Sequence, residues 1–331
     1  MWFETLTGFT EDNHEQVQAN IEINGKHLIS KVNGARYQFG TLETPTLAAW
    51  RQTSECTRKD STAIRVSEVV GNIQDFHSAP SNHGALFQAA SQFNLLEMVN
   101  PDITPEQGIG IYEYDRTQGP ACAISCGAAT IYRNYFVDVN GRIGQTKDNQ
   151  IDCLFDIGQK LGNAHGRLWQ MSNGYALPSS EGLREVNQLI DNLTKEEYDQ
   201  LKSLLRVGIQ WDTQVTIHQS NNFVNQVYCS ALPVSYSFFS QRDWEPFARM
   251  VLEASYEATF HAGLINYQNT GNPLIFLTLV GGGAFGNDKK WIFDALRYSL
   301  FKFRSEPLDI RIVSHSYSNF ELQQFIQSLN L

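Results

Sequence analysis

No stretch of the chain approaches the ~20 consecutive apolar residues that a membrane-spanning helix needs, so no membrane association is expected. The opening MWFETLTGFTEDN has neither a basic n-region nor an apolar h-region, and no secretory signal is expected from it. Cysteine is scarce and odd in number: Cys56, Cys122, Cys126, Cys153 and Cys229, with no CxxC pair. Cys122 and Cys126 lack the neighbouring His or Cys residues that would complete a zinc ligand set, so the expectation is buried reduced thiols, no metal and a cytoplasmic compartment. Basic charge is also lacking: 25 Lys and Arg face 35 Asp and Glu, a net charge of −10. That balance argues against a general nucleic-acid binder, which needs a clustered basic excess. It leaves room for a small phosphate ligand, because backbone amides can hold one without any basic side chain.

What is present is a run of alternating elements. AIRVSEVV from residue 63 reads as a strand, GNIQDFHSAPSNHG as a loop and ALFQAAS as a second strand. Residues 98–116 read as a loop, and a helix rich in small residues enters at Pro120. Residues 150–207 read as helical throughout, with Thr194 and Glu197 in capping-box spacing. VGIQWDTQVTIHQ and FVNQVYCSALPVSYS read as strands, 243–263 as an amphipathic helix, LIFLTLV as a buried strand and DIRIVSH as the closing strand. Strands alternating with helices predict an α/β domain with a mixed sheet.

The sharpest feature is LIFLTLV-GGGAFGN-DKKWIFDAL: apolar strand, glycine-rich loop, helix. Glycines permit positive φ and remove Cβ atoms, so successive N–H groups can converge on phosphate oxygens, and the helix adds its positive end. The loop has no P-loop lysine and no GxGxxG spacing, which favours nucleotide binding without triphosphate chemistry. The bland alternative is a tight turn at Gly281–Gly283. Phe285 is either a core plug or a ring laid on a sugar.

These segments, in this order, resemble a macrodomain, the ADP-ribose-binding fold, over about 63–316. LTLVGGGAFGN is similar to the family's second phosphate-binding loop, and VVGNIQ followed by ALFQAASQFN is similar to its V-x-G-D-I and I-V-N-A-A-N segments. The resemblance implies a three-layer α/β/α fold with a central mixed sheet, an N-terminal extension (1–62) packed on the core, and a helical insertion at about 150–207. It places Asn72 at adenine, where the family usually has Asp, with Ile73 and Phe93 as further ligand positions. Gln118 and Gly119 would face the diphosphate from the first loop. Gly281, Gly282, Gly283, Ala284, Phe285, Gly286 and Asn287 would hold the diphosphate and distal ribose.

The family's catalytic asparagine is absent; Ser91, Gln92 and Asn94 stand nearest. Together with the insertion, this resembles a divergent branch that removes mono-ADP-ribose from arginine, known from a bacterial effector acting on ubiquitin. The implied activity is cleavage of the bond between ribose C1″ and the guanidinium, by a monomer that uses no cofactor beyond ADP-ribose as ligand and product. An ADP-ribosylated protein, with ubiquitin as a candidate, would be its partner. Asp115 and Glu257 are the carboxylates expected to do the chemistry. Asp115 could equally cap the next helix, and Glu257 could sit on a solvated face or pair with His261. Asn149 and Asp152 are either ligand-covering residues or caps of the inserted helix. Two rivals are a non-catalytic ADP-ribose reader and a hydrolase of another linkage such as poly(ADP-ribose). The absence of paired glutamates after GGG counts against the polymer.

Overall fold

A computed structural model describes residues 1–55 and 63–329; Cys56 lies outside the described residues. Its centre is a seven-stranded sheet of β1 (Thr41–Glu43), β2 (Arg65–Val70), β3 (Leu86–Ala90), β4 (Gly208–Gln214), β5 (Phe223–Cys229), β6 (Leu274–Leu277) and β7 (Asp309–Ser314), in the spatial order β1-β4-β5-β3-β6-β7-β2. β5, β3, β6, β7 and β2 run parallel; β4 pairs antiparallel with both β5 and β1. The sheet is therefore mixed and covered by helices on both faces.

Alternation along β3 shows how the layers are held. The Phe87 ring points to one face, 3.8 Å from the His77 ring and 4.5 Å from Phe276. Gln88 points to the other and donates to Thr259 Oγ1 at 2.9 Å on the long helix Gln241–Thr270. A period of two carries one residue to each layer. The same helix lies close on the sheet because Gly263 has no side chain: a Cβ there would sit 2.1 Å from Ile275 Cδ1. Cys122, Cys126, Cys153 and Cys229 are buried free thiols. Among the described residues no helix is long and apolar enough to cross a membrane.

Several local readings are corrected. The segment after β2 is not all loop: Asn72 caps a helix, Ile73–Ser78, by accepting from the Gln74 N–H. The small-residue helix is two helices, Gln118–Ser125 and Gly127–Tyr135, parted at Cys126 where ψ reaches 59°. Residues 150–207 are not helical throughout, since Trp169–Ser172 and Tyr175–Pro178 form a hairpin. Its turn, Asn173-Gly174, has positive φ at both residues, the turn type that Asn-Gly favours. The N-terminal segment supplies an edge strand, β1, to the central sheet.

Candidate functional site

The carboxyl ends of the parallel strands open into a cleft, where open α/β sheets present their loops. It has two chambers that share Asp115, Thr117, Gln118 and Thr278. The outer chamber, about 450 Å³, is walled by Asn72, Ile73, Ile124, Val313 and His315, from the ends of β2 and β7 and the facing helix. The inner one, about 210 Å³, lies over the ends of β3, β5 and β6.

The junction is built by close backbone approach. Gln118 accepts from the Ala90 N–H at 2.8 Å and donates to the Gln88 carbonyl at 2.8 Å, splinting the end of β3. Gly119 lets the helix start touch that strand: a Cβ there would lie 2.0 Å from the Ala90 carbonyl oxygen. Gly119→Ala should therefore lower unfolding stability by about 1–3 kcal/mol, measurable by urea titration; an unchanged midpoint would show that the helix can shift freely. Asp115, half-buried, accepts from the Thr117 N–H at 2.8 Å at the entrance to this helix and faces both chambers.

The glycine-rich loop forms one wall of the inner chamber. Gly281 takes φ of +77° against Ala231, and Gly286 takes +68° against Ser235. Gly286 and Asn287 donate back to Gly283 and Gly281, closing the loop on itself. That leaves the N–H groups of Gly283, Ala284 and Phe285 without a hydrogen-bond partner among the described residues, three successive donors at the rim. Asn287 is buried and donates to the Leu232 carbonyl, so it holds the loop from behind. Gly282 is exposed towards the far side, by Ile292. Tyr256 Oη accepts from the Val280 N–H at 3.0 Å and donates to the Thr278 carbonyl at 2.9 Å, pinning the loop's start.

Phe285 is half-buried, its ring 5.2 Å from Tyr175 and 5.7 Å from Tyr236. The three rings make an aromatic wall, with Tyr175 delivered by the inserted hairpin and fixed by its bond to the Met98 carbonyl at 2.6 Å. On the floor lies Glu97, which the sequence reading missed. Its side chain is 1% exposed. One oxygen meets Arg133 Nη2 at 3.4 Å, and the other, Oε2, has no hydrogen-bond partner. Burial pushes the carboxyl up to about 7 against the opposing pull of Arg133. Arg133 is itself fully buried, bonded to the Leu95 carbonyl and the Tyr228 hydroxyl.

Other expected site residues lie elsewhere. Phe93 is buried under the insertion, its backbone bonded to Gly174 and Cys153. Asn149 is buried against Val139 and Asn140, and Asp152 caps Leu154, its carboxyl pushed up to about 6 by burial. None of the three lines either chamber. Glu257 does not meet Asp115: its carboxylate is 0% exposed and lies among Arg51, Lys202 and Lys302 on the long helix. Tyr256, one position and about 100° around the helix, is the residue that reaches the loop.

No family model matches the chain, and no curated protein does. Solved structures of poly(ADP-ribose) glycohydrolase are similar to it. The enzyme of Deinococcus radiodurans in complex with ADP-ribose shares 11% identity over 87% of this chain and 94% of its own, with a TM-score of 0.48. That of Thermomonospora curvata bound to the inhibitor ADP-HPD shares 11% over 95% and 94%, with a TM-score of 0.43. The similar structures are poly(ADP-ribose) glycohydrolases and not arginine-specific enzymes, so the placement in an arginine-specific branch, the arginine linkage and the tie to ubiquitin are not carried further.

Proposed function

We propose that the chain is a glycosidase-type hydrolase acting on ADP-ribose, releasing ADP-ribose units from poly(ADP-ribose). The observation that carries this reading is Glu97: a buried carboxyl with a free oxygen, on the floor of an aromatic chamber that has the glycine-rich loop as one wall and meets a second chamber at Asp115, Thr117, Gln118 and Thr278. ADP-ribose has two nucleoside-sized ends linked by a diphosphate, and the cleft has matching parts. The outer chamber takes adenosine beside Asn72 and Ile73. The donors of Gly283, Ala284 and Phe285 take the diphosphate, and the aromatic wall packs on the distal ribose.

The polymer's linkage is an O-glycosidic bond, and its departing group is a sugar hydroxyl that leaves poorly unless protonated. Glu97 supplies that proton as the C1–O bond breaks and its electron pair goes to the departing oxygen. Water then bonds to C1 and gives a proton to Asp115 at the junction; both carboxyls reset through solvent. The separation of roles follows environment, one carboxyl buried and the other partly solvated.

The test is incubation with purified poly(ADP-ribose) and chromatographic assay of free ADP-ribose, with calorimetric ADP-ribose binding in parallel. Release of ADP-ribose is expected. Binding without release would make the chain a reader and overturn the proposed chemistry.

A further inference from the structure

A residue far away in sequence holds both proposed carboxyls in register. Glu11, in the N-terminal segment, accepts from the Ile109 N–H at 3.0 Å, the Gly110 N–H at 2.5 Å and the Tyr135 hydroxyl at 2.7 Å. Two glycines make room for it: a Cβ on Gly108 or Gly110 would lie 2.5 or 2.8 Å from Glu11 Oε2, and Gly108 also takes φ of +89°. The clamped turn continues as Gly110–Tyr114 and ends at Asp115. Trp2 ties down the same turn by donating its backbone N–H to Glu113 at 2.9 Å.

Tyr112, in the middle of that turn, bonds to both carboxyl-bearing residues. Its phenol oxygen accepts from the Glu97 N–H at 2.9 Å, and its carbonyl accepts from the Asp115 N–H at 3.2 Å. Each carboxyl thus hangs from one end of the same residue. We propose that Glu11 is a positioning residue of the cleft: by clamping the 109–115 turn it sets, through Tyr112, where Glu97 and Asp115 stand relative to each other. Burial raises the Glu11 carboxyl, opposed by its three donors, so the clamp is a desolvated acceptor whose replacement by a donor is not made good by water.

The catalytic consequence rests on the glycohydrolase reading; the clamp itself does not. The test therefore has two arms on the full chain. Glu11→Gln keeps the shape but turns a donor towards one of the two N–H groups. In hydrogen–deuterium exchange the amides of Glu97 and Asp115, neither of which touches Glu11, should exchange about tenfold faster. Faster exchange confined to Ile109 and Gly110 would overturn the clamp. Tyr112→Phe is the milder companion, removing only the phenol oxygen: it should free the Glu97 amide and leave that of Asp115 protected, and protection unchanged at both would also overturn it.

In the activity arm, Glu11→Gln should lower kcat on the polymer about tenfold or more, since small misplacements of reacting groups are costly, with KM little changed. A loss matched by the unfolded fraction, with kcat per folded molecule intact, would overturn the positioning role. If the natural protein releases no ADP-ribose, the functional reading fails, while the exchange arm still decides the clamp.

Discussion

Glu97→Gln is expected to lower turnover of poly(ADP-ribose) by about 10²–10⁴-fold while ADP-ribose still binds. The variant keeps the shape of the side chain but removes the proton that the departing hydroxyl must receive. The pH dependence follows from the same group. Glu97 is pushed up to about 7 by burial, and the acid acts in its protonated form, so activity should fall as pH rises through about 7. That alkaline limb should be missing from the residual activity of Glu97→Gln. A substrate whose departing group needs no proton, such as ADP-ribose bearing a nitrophenoxy group at C1″, should be spared. Equal loss on both substrates would assign Glu97 to structure alone, as the partner of Arg133. The sign for stability runs the same way. A carboxyl raised in the folded state adds stability below the unfolded value near 4 and loses it as pH rises through the folded value. That stability is therefore lost between about 4 and 7, and the fall in activity follows from about 7 upward.

The strands and the glycine-rich loop were legible because period and backbone freedom are local properties. An apolar run ending in Gly281-Gly282-Gly283 has few folds open to it. The two-chamber cleft was not legible, because Gln118, Thr278 and Asp115 come together only through the strand order. Glu97 did leave a trace: it is a single carboxylate within Leu95, Leu96, Met98 and Val99, and a charge in such a run is rarely buried without a reason. It stands far upstream of the glycine loop, so the absence of paired glutamates after GGG says nothing about it. Of the readings open to Glu257, the structure has the neighbour His261 at 3.6 Å, since 100° of rotation separates the Tyr256 face from the ion cluster. The helical pattern of 150–207 masks Asn173-Gly174, whose dipeptide alone marks a hairpin. That hairpin matters, since it brings Tyr175 to the aromatic wall.

Glu257 carries the largest expected effect on stability. Its buried carboxylate meets Arg51 Nε at 2.7 Å, Lys202 Nζ at 3.2 Å and Lys302 Nζ, while Arg51 also grips Asp199 with both terminal nitrogens. These groups come from four helices: Leu47–Glu55, Lys195–Lys202, Gln241–Thr270 and Lys289–Lys302. Removing the one fully buried carboxylate leaves Asp199 as the main counter-charge for Arg51 and Lys202 beside a partly exposed Lys302, so Glu257→Gln should cost about 3 kcal/mol in urea unfolding. Burial alone raises this carboxyl, but His261 Nε2 at 3.6 Å, the hydrogen bonds from Arg51 and Lys302 and the charge of Lys202 outweigh it and hold it well below the usual carboxylate range. A depressed carboxyl gives its stability above the unfolded value near 4 and loses it as pH falls below that. The natural protein should thus weaken steeply in acid, and Glu257→Gln should flatten that slope. Because the cluster forms no part of the cleft wall, kcat per folded molecule should stay at the natural value. A fall in kcat with full stability would return Glu257 to the chemistry and move the reacting centre off the cleft that Glu97 and Asp115 define.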